Sequence, residues 1–171
     1  MNLYSWLQGH AKERPGKVAI RFRDQEIAFR ELYRLTDALG TALRGAGVNR
    51  DDHVTLMLPN VPEFVLTYMA TIGIGAVVTP INPSYTSREL KHILGDSDSR
   101  VLVIEQSNRD TYDDIAAECP QKAVITTGPG GSFPEWVTGS GSGIVEDRDR
   151  DDVAVMIYSL RKMARALHPG P

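Results

Sequence analysis

The side chains able to do chemistry are few and scattered. Cys119 is the single cysteine, and His10, His53, His92 and His168 stand far apart without metal-ligand spacing. No base or orienting group lies near Cys119 in sequence, so it reads as a packing residue at the end of "TYDDIAAEC". The acidic run "EDRDRDD", residues 146 to 152, alternates in sign, and its carboxylates are too few to hold a metal unaided. It reads as a solvated turn. The glycines of "GPGGSFPEWVTGSGSG", residues 128 to 143, could cradle phosphate. They sit with Ser and Pro and open no long helix, so a flexible linker is expected instead. No nucleophile and base pair stands out, which leaves a small free-standing enzyme without machinery.

The end of the chain, "AVMIYSLRKMARALHPGP", poses a sharper question. The apolar run Val153 to Tyr158 reads as a buried strand of a parallel sheet, the kind of strand that delivers a glycine-rich phosphate loop in nucleotide-binding α/β proteins. Here it delivers Ser159, Leu160, Arg161 and Lys162, with no glycine until Gly170. A tight amide-lined turn cannot form from these residues, and Leu160, Met163 and Leu167 are apolar where hydroxyls would be needed. Leu160, Met163, Ala164 and Leu167 do follow helical spacing, so a short amphipathic tail helix is expected.

The elements that must position these groups follow from periodicity. Residues Asn2 to Arg14 predict an amphipathic helix with Leu3, Trp6, Leu7 and His10 or Ala11 on one side. "KVAIRFRDQEIAF" predicts a hairpin turning at Asp24-Gln25. Leu32, Leu35, Leu39 and Leu43 mark a second helix, stopped by Gly45 and Gly47. Strand Val54 to Leu58, a helix from Pro62, strand "GAVVTPI", a helix capped by Thr86 or Ser87 and ending at Gly95, strand Val101 to Glu105, helix Tyr112 to Cys119 and strand Ala123 to Thr126 complete the series, with a turn of helix near Pro134 to Val137. Alternating strands and helices predict an α/β fold: an open, mostly parallel doubly wound sheet with helices on both faces, preceded by the N-terminal helix and β-hairpin.

At 171 residues and 42% apolar content the chain suits one globular domain. A net charge of -3 gives no basic field for nucleic acid. The uncharged stretch Phe64 to Ser87 approaches a membrane span in length, but Gly73, Gly75, Pro80 and Pro83 divide it into helix, turn and strand. With no signal peptide at the N-terminus and one cysteine, a cytoplasmic protein without a transmembrane segment is expected.

Four patterns stand in a telling order: "IAFREL" at Ile27 to Leu32, "GVNRDDHVTLMLPNVPEF" at Gly47 to Phe64, "GIGAVVTPINPSYTSRELKHILGDS" at Gly73 to Ser97, and "DDVAVMIYS" at Asp151 to Ser159. The chain resembles the N-terminal third of the AMP-forming acyl-CoA synthetases, of the fatty-acid-CoA ligase type, within the adenylate-forming superfamily. That resemblance implies a partial N-terminal AMP-binding domain, its first subdomain, over residues 1–158 and a tail outside the family over 159–171. Full-length relatives use ATP, Mg²⁺ and coenzyme A to join a carboxylic acid to the thiol, with a Tyr-Thr-Ser-Gly-Thr-Thr-Gly-x-Pro-Lys-Gly loop on the triphosphate. This chain reaches Tyr158 and Ser159 and then departs, as a reading-frame change near Ser159 would produce.

The resemblance therefore implies a catalytically inactive fragment of a fatty-acid or other carboxylic-acid CoA ligase, with no catalytic, cofactor-binding or metal residue of its own and no cofactor bound. The alternative is an interaction or regulatory module that pairs with an intact ligase or a complementary fragment. Arg109 matches the loop where some relatives hold a coenzyme A phosphate, although a solvated arginine explains it as well. Asn82, Tyr85 and Thr86 match family positions that turn formation and N-capping also explain. Apolar surface on Phe64 to Ile81 and Val153 to Tyr158 implies a homo-oligomer.

Overall fold

The computed structural model describes residues 3–143 and 145–158. Helix α1 (Tyr4–Glu13) is followed by an antiparallel hairpin, β1 (Val18–Phe22) and β2 (Gln25–Ala28). Phe22 pairs with Gln25, so the turn residues are Arg23 and Asp24, one position earlier than expected. Arg23 takes the positive φ of 52° that the tight connection demands. The buried side of α1 also differs from the expected one. Tyr4 and Leu7 are buried, whereas Leu3 and Trp6 are 50% and 61% exposed. Tyr4 wins the inward face because its hydroxyl meets the Thr36 hydroxyl at 3.0 Å, which satisfies both polar atoms in the core.

Helix α2 (Phe29–Gly45) buries Leu32, Leu39 and Leu43 as its spacing predicts. Then β3 (His53–Met57), α3 (Pro62–Gly73), β4 (Val77–Pro80), α4 (Ser87–Asp96), β5 (Ser99–Glu105), α5 (Arg109–Asp113), β6 (Ala123–Thr127) and α6 (Phe133–Trp136) follow. The four later strands form one parallel sheet in the order β4-β3-β5-β6. From β3 the chain steps to β4, then returns across β3 to β5. Right-handed crossovers in opposite directions must lie on opposite faces, which puts α3 on one side and α4 and α5 on the other.

Strand periodicity feeds both faces. Val54, Leu56, Val101, Val103 and Ile125 pack with α1, α2 and α3, while Met57, Leu102 and Ile104 pack with α4 and α5. The sheet is thus doubly wound, and its strands read as nearly continuous apolar runs because both faces are buried. Phe64 to Ser87 resolves into α3, β4 and the start of α4. Among the described residues no helix is long and apolar enough to cross a membrane.

Three further expectations fail. Val153 to Tyr158 is not a strand but a single parallel bridge, Val155 to Val78. Val78 N–H donates to Ala154 O at 3.0 Å and Met156 N–H to Val78 O at 2.8 Å, and the ladder stops there. Apolar composition suits a strand buried on both sides, but Val153, Met156 and Ile157 find no outer layer and are 53%, 37% and 77% exposed. The helix expected at Tyr112 to Cys119 begins at Arg109, after a 3₁₀ turn Gln106–Asn108, and ends at Asp113. Tyr112 of this helix is buried, its Oη accepting from Gln121 N–H at 3.1 Å, and beyond the helix Ile115 tucks into the core through turns.

The third correction concerns residues 128 to 143, which are a docked loop rather than a flexible linker. Thr126 and Ser132 exchange hydrogen bonds at 3.1 and 3.0 Å, Phe133 is buried, and Gly143 N–H donates to the Asp37 carboxylate on α2 at 3.0 Å. The tail helix expected from Leu160, and His168, lie outside the described residues.

At the amino end of the sheet, half-buried His53 has its Nδ1 3.0 Å from Thr79 Oγ1. Burial holds its imidazole below the ordinary value, against the pull of Asp52 and Asp98. The unfolded chain therefore takes up this proton first as pH falls from ~6.5 toward the lowered native value, and folding stability drops across that window. Urea denaturation of wild type and His53→Asn at pH values on either side of the window should show a shallower pH slope in the variant. Equal slopes would refute the assignment.

Candidate functional site

The reversal of chain direction between β3 and β5 creates the crevice at which open α/β sheets bind ligands, beyond the carboxyl ends of the strands. Beside it, beyond the carboxyl ends of β3 and β4, the rim holds an open depression of about 510 Å³ walled by Leu58, Pro59, Asn60, Phe64, Ile81, Asn82, Tyr85 and Tyr158. Pro59 cannot extend β3, and Val61 N–H turns back to Pro59 O at 2.9 Å, so Asn60 projects from the turn as an exposed side chain. After β4, Asn82 Oδ1 accepts from Ser84 N–H at 2.9 Å and Asn82 O from Tyr85 N–H at 3.1 Å, a side-chain-stabilised turn. Asn108 Nδ2 donates to Pro83 O at 3.2 Å and ties the segment after β5 to this turn.

Thr86 is the N-cap of α4 in a complete capping box. Its hydroxyl accepts from Glu89 N–H, and the Glu89 carboxylate accepts from Thr86 N–H at 2.8 Å. Thr86→Ala should cost about 1 kcal/mol and lower the melting temperature by roughly 2–4 °C, with Thr86→Ser restoring most of it. Calorimetry giving no difference between Ala and Ser would free Thr86 from the capping role.

The other sequence candidates are accounted for locally. Arg109 is the first residue of α5, not a loop arginine. Its Nε donates to Asp113 Oδ1 at 2.7 Å, and its guanidinium lies 5.6 Å from the centre of the Tyr112 ring. Asn82 and Thr86 serve the turn and the cap, while Tyr85 packs against the α4 face of the core. Cys119 is half-buried on the same face, and burial pushes its thiol up, away from thiolate reactivity. Sequence reading missed Asn60 and Phe64 as rim residues. The signal was available, since a Pro-Asn pair directly after a strand marks a rim turn.

Tyr158 closes the rim. Its hydroxyl donates to Asp96 Oδ2 at 2.6 Å, and burial together with that carboxylate pushes the phenol well above its ordinary value. It is a fixed donor rather than a base. Among the described residues no group of three or more His, Cys, Asp or Glu could hold a metal ion. No charged side chain lines this depression, and Arg109 is engaged by Asp113, so the described rim does not fit a magnesium triphosphate. It offers a shaped floor with amide groups and aromatic edges.

A doubly wound parallel sheet with a ligand-sized rim at its carboxyl edge defines the class of ligand-binding α/β domains. Comparison with known proteins narrows the class. The family described as AMP-binding enzyme matches residues 7–159. A 3-hydroxybenzoate–CoA/4-hydroxybenzoate–CoA ligase of Thauera aromatica is 30% identical over 84% of this chain and 29% of its own length. A long-chain-fatty-acid–CoA ligase of Bacillus subtilis (strain 168) is 37% identical over 59% of this chain and 18% of its own. Among solved structures, the anthranilate CoA ligase AuaEII in complex with anthranoyl-AMP superposes with a TM-score of 0.87 at 25% identity, covering 93% of this chain and 31% of that one.

The chain belongs to the AMP-binding enzyme family of adenylate-forming ligases. It spans less than a third of the length of these CoA-ligase relatives.

Proposed function

We propose that this chain is the N-terminal part, the first subdomain over residues 1–158, of a cytoplasmic AMP-forming ligase that joins a fatty or other carboxylic acid to coenzyme A at the expense of ATP. By itself it forms no acyl-adenylate. Its work is structural: the sheet and rim provide one wall against which the groups that handle ATP, Mg²⁺ and the acyl carboxylate are arranged. The observation that carries this reading is the depression at the carboxyl edge of the sheet, in a fold of this family, walled by uncharged side chains. The sequence from Leu160 to Lys162 carries no glycine where the resemblance calls for a phosphate loop, which supports treating the residues after the family match, 160–171, as a tail outside the family. Isothermal titration of the 171-residue chain with ATP and Mg²⁺ tests it: no heat above dilution is expected, and saturable binding would overturn the inactive reading.

A second reading, association with a copy of itself or with a complementary fragment, is favoured by exposed apolar side chains on α1, α3 and the 153–157 segment.

A further inference from the structure

Residues 145–158 leave the docked loop and run along the outer side of β4, the edge strand of the sheet. Packing alone does not hold them there. Only two backbone hydrogen bonds join them to β4, and of the five apolar side chains from Val153 to Ile157 only Val155 turns into the core. What stands at the start of this strap is a set of ion pairs between groups roughly a hundred residues apart in sequence.

Arg44 Nη2 on α2 lies 2.9 Å from Glu146 Oε2, and Arg50 Nη2 lies 3.0 Å from Asp152 Oδ2. Arg148 sits at the centre with its side chain only 10% exposed, 2.6 Å from Asp51 Oδ1 and 3.2 Å from Asp152 Oδ2. Its second amino group donates to Val153 O at 3.2 Å, the carbonyl beside the residue that begins the pairing with β4. Backbone geometry fits the clasp to its seat. Glu146 N–H donates to Gly73 O at 2.9 Å, and Gly75, at φ +77°, has no side chain because a Cβ there would come within 2.6 Å of Glu146 Cγ. At the far end the strap is pinned by Tyr158 on Asp96.

We propose that these pairs form an ionic clasp, with Arg148 as the positioning residue, that latches the strap over the β4 edge and sets the register of Val153–Tyr158. Released, the strap uncovers Val77–Pro80 as a free sheet edge and removes one wall of the 420 Å³ apolar cavity that Arg148 to Ala154 form against Leu3, Tyr68 and Ile72. Charge-held and thinly packed, the strap opens as its own unit below the free energy of global unfolding. A half-buried network is screened less than an open surface pair, so strong salt is needed to loosen it.

Amide hydrogen exchange of the full chain, resolved by residue, tests this. Raising salt from about 0.05 M to about 1 M, where the screening length falls to ~3 Å, should speed exchange of the Val78 and Met156 amides by about tenfold and leave Val54 and Val103 unchanged. Arg148→Met, which keeps the apolar stem, should speed the same two amides at low salt and reduce their salt response to what the Arg44–Glu146 and Arg50–Asp152 pairs still supply. Gly75→Ala should act alike by displacing Glu146. Salt-independent exchange at Val78 and Met156 in wild type overturns the proposal, as does an Arg148→Met chain whose β3 and β5 amides accelerate in step with the strap. If Arg148→Met does not fold, the wild-type salt response decides alone.

Discussion

The purified 171-residue chain, incubated with ATP, Mg²⁺, labelled pyrophosphate and a panel of aromatic and fatty acids, is expected to place no label in ATP above a buffer control. Adenylation accumulates negative charge on the triphosphate and the attacked phosphorus. A protein accelerates it only by presenting donors and cations where that charge develops. Removing one such donor from an enzyme lowers kcat by about 10²–10³-fold, and several such losses take the rate below detection. Arg109, the cation that the sequence singled out, is bound to Asp113 and lies over the Tyr112 ring, and Tyr158 is a phenol whose proton is committed to Asp96. Exchange clearly above the control would sink the inactive reading, and would require a phosphate site formed outside the described rim.

The parts of this fold that were legible in sequence are those governed by local rules. The cap of α4 follows from Thr86 and Glu89 three residues apart, whose side chains satisfy the first free amides of that helix, and the start of α3 from Pro62, which has no N–H to leave unsatisfied and a φ already set for the first turn. The crossovers follow from the alternation of elements alone. What sequence concealed depends on distant partners. "EDRDRDD" reads as a solvated turn because its signs alternate, yet Arg50 and Asp51, a hundred positions earlier, draw Arg148 and Asp152 out of water. Val153 to Ile157 has the composition of a buried strand, but burial needs an outer layer that composition does not reveal. The rim was half legible: Asn82 and Thr86 were singled out for the wrong reach, since the turn and the cap consume their polar atoms.

The same exposed strap leads to the second large effect. Light scattering of the purified chain at micromolar concentration should report a dimer or larger species, against a monomer mass of 18.9 kDa. The expected interface drew on the apolar faces of Phe64 to Ile81, but most of that segment is core, and among its large apolar side chains Val65 on α3 is the exposed one at 37%. The sticky surface lies elsewhere: Leu3 at the start of α1 and Trp6 on it, and Val153, Met156 and Ile157 on the strap. Apolar patches beyond a few hundred Å² are rarely left open on a soluble monomer. The strap pairs with β4 through two hydrogen bonds only, so its outer backbone groups and the far edge at β6 both remain available to another strand. Ile157 is the most exposed of these side chains at 77%, so Ile157→Asp should break an interface on the strap at little cost to the fold. Trp6→Glu should do so only if α1 takes part. A monodisperse wild-type monomer would reject self-association, and an unchanged dimer in the Ile157→Asp chain would move the interface away from the strap, to α1 if Trp6→Glu breaks it and to the β6 edge if neither does.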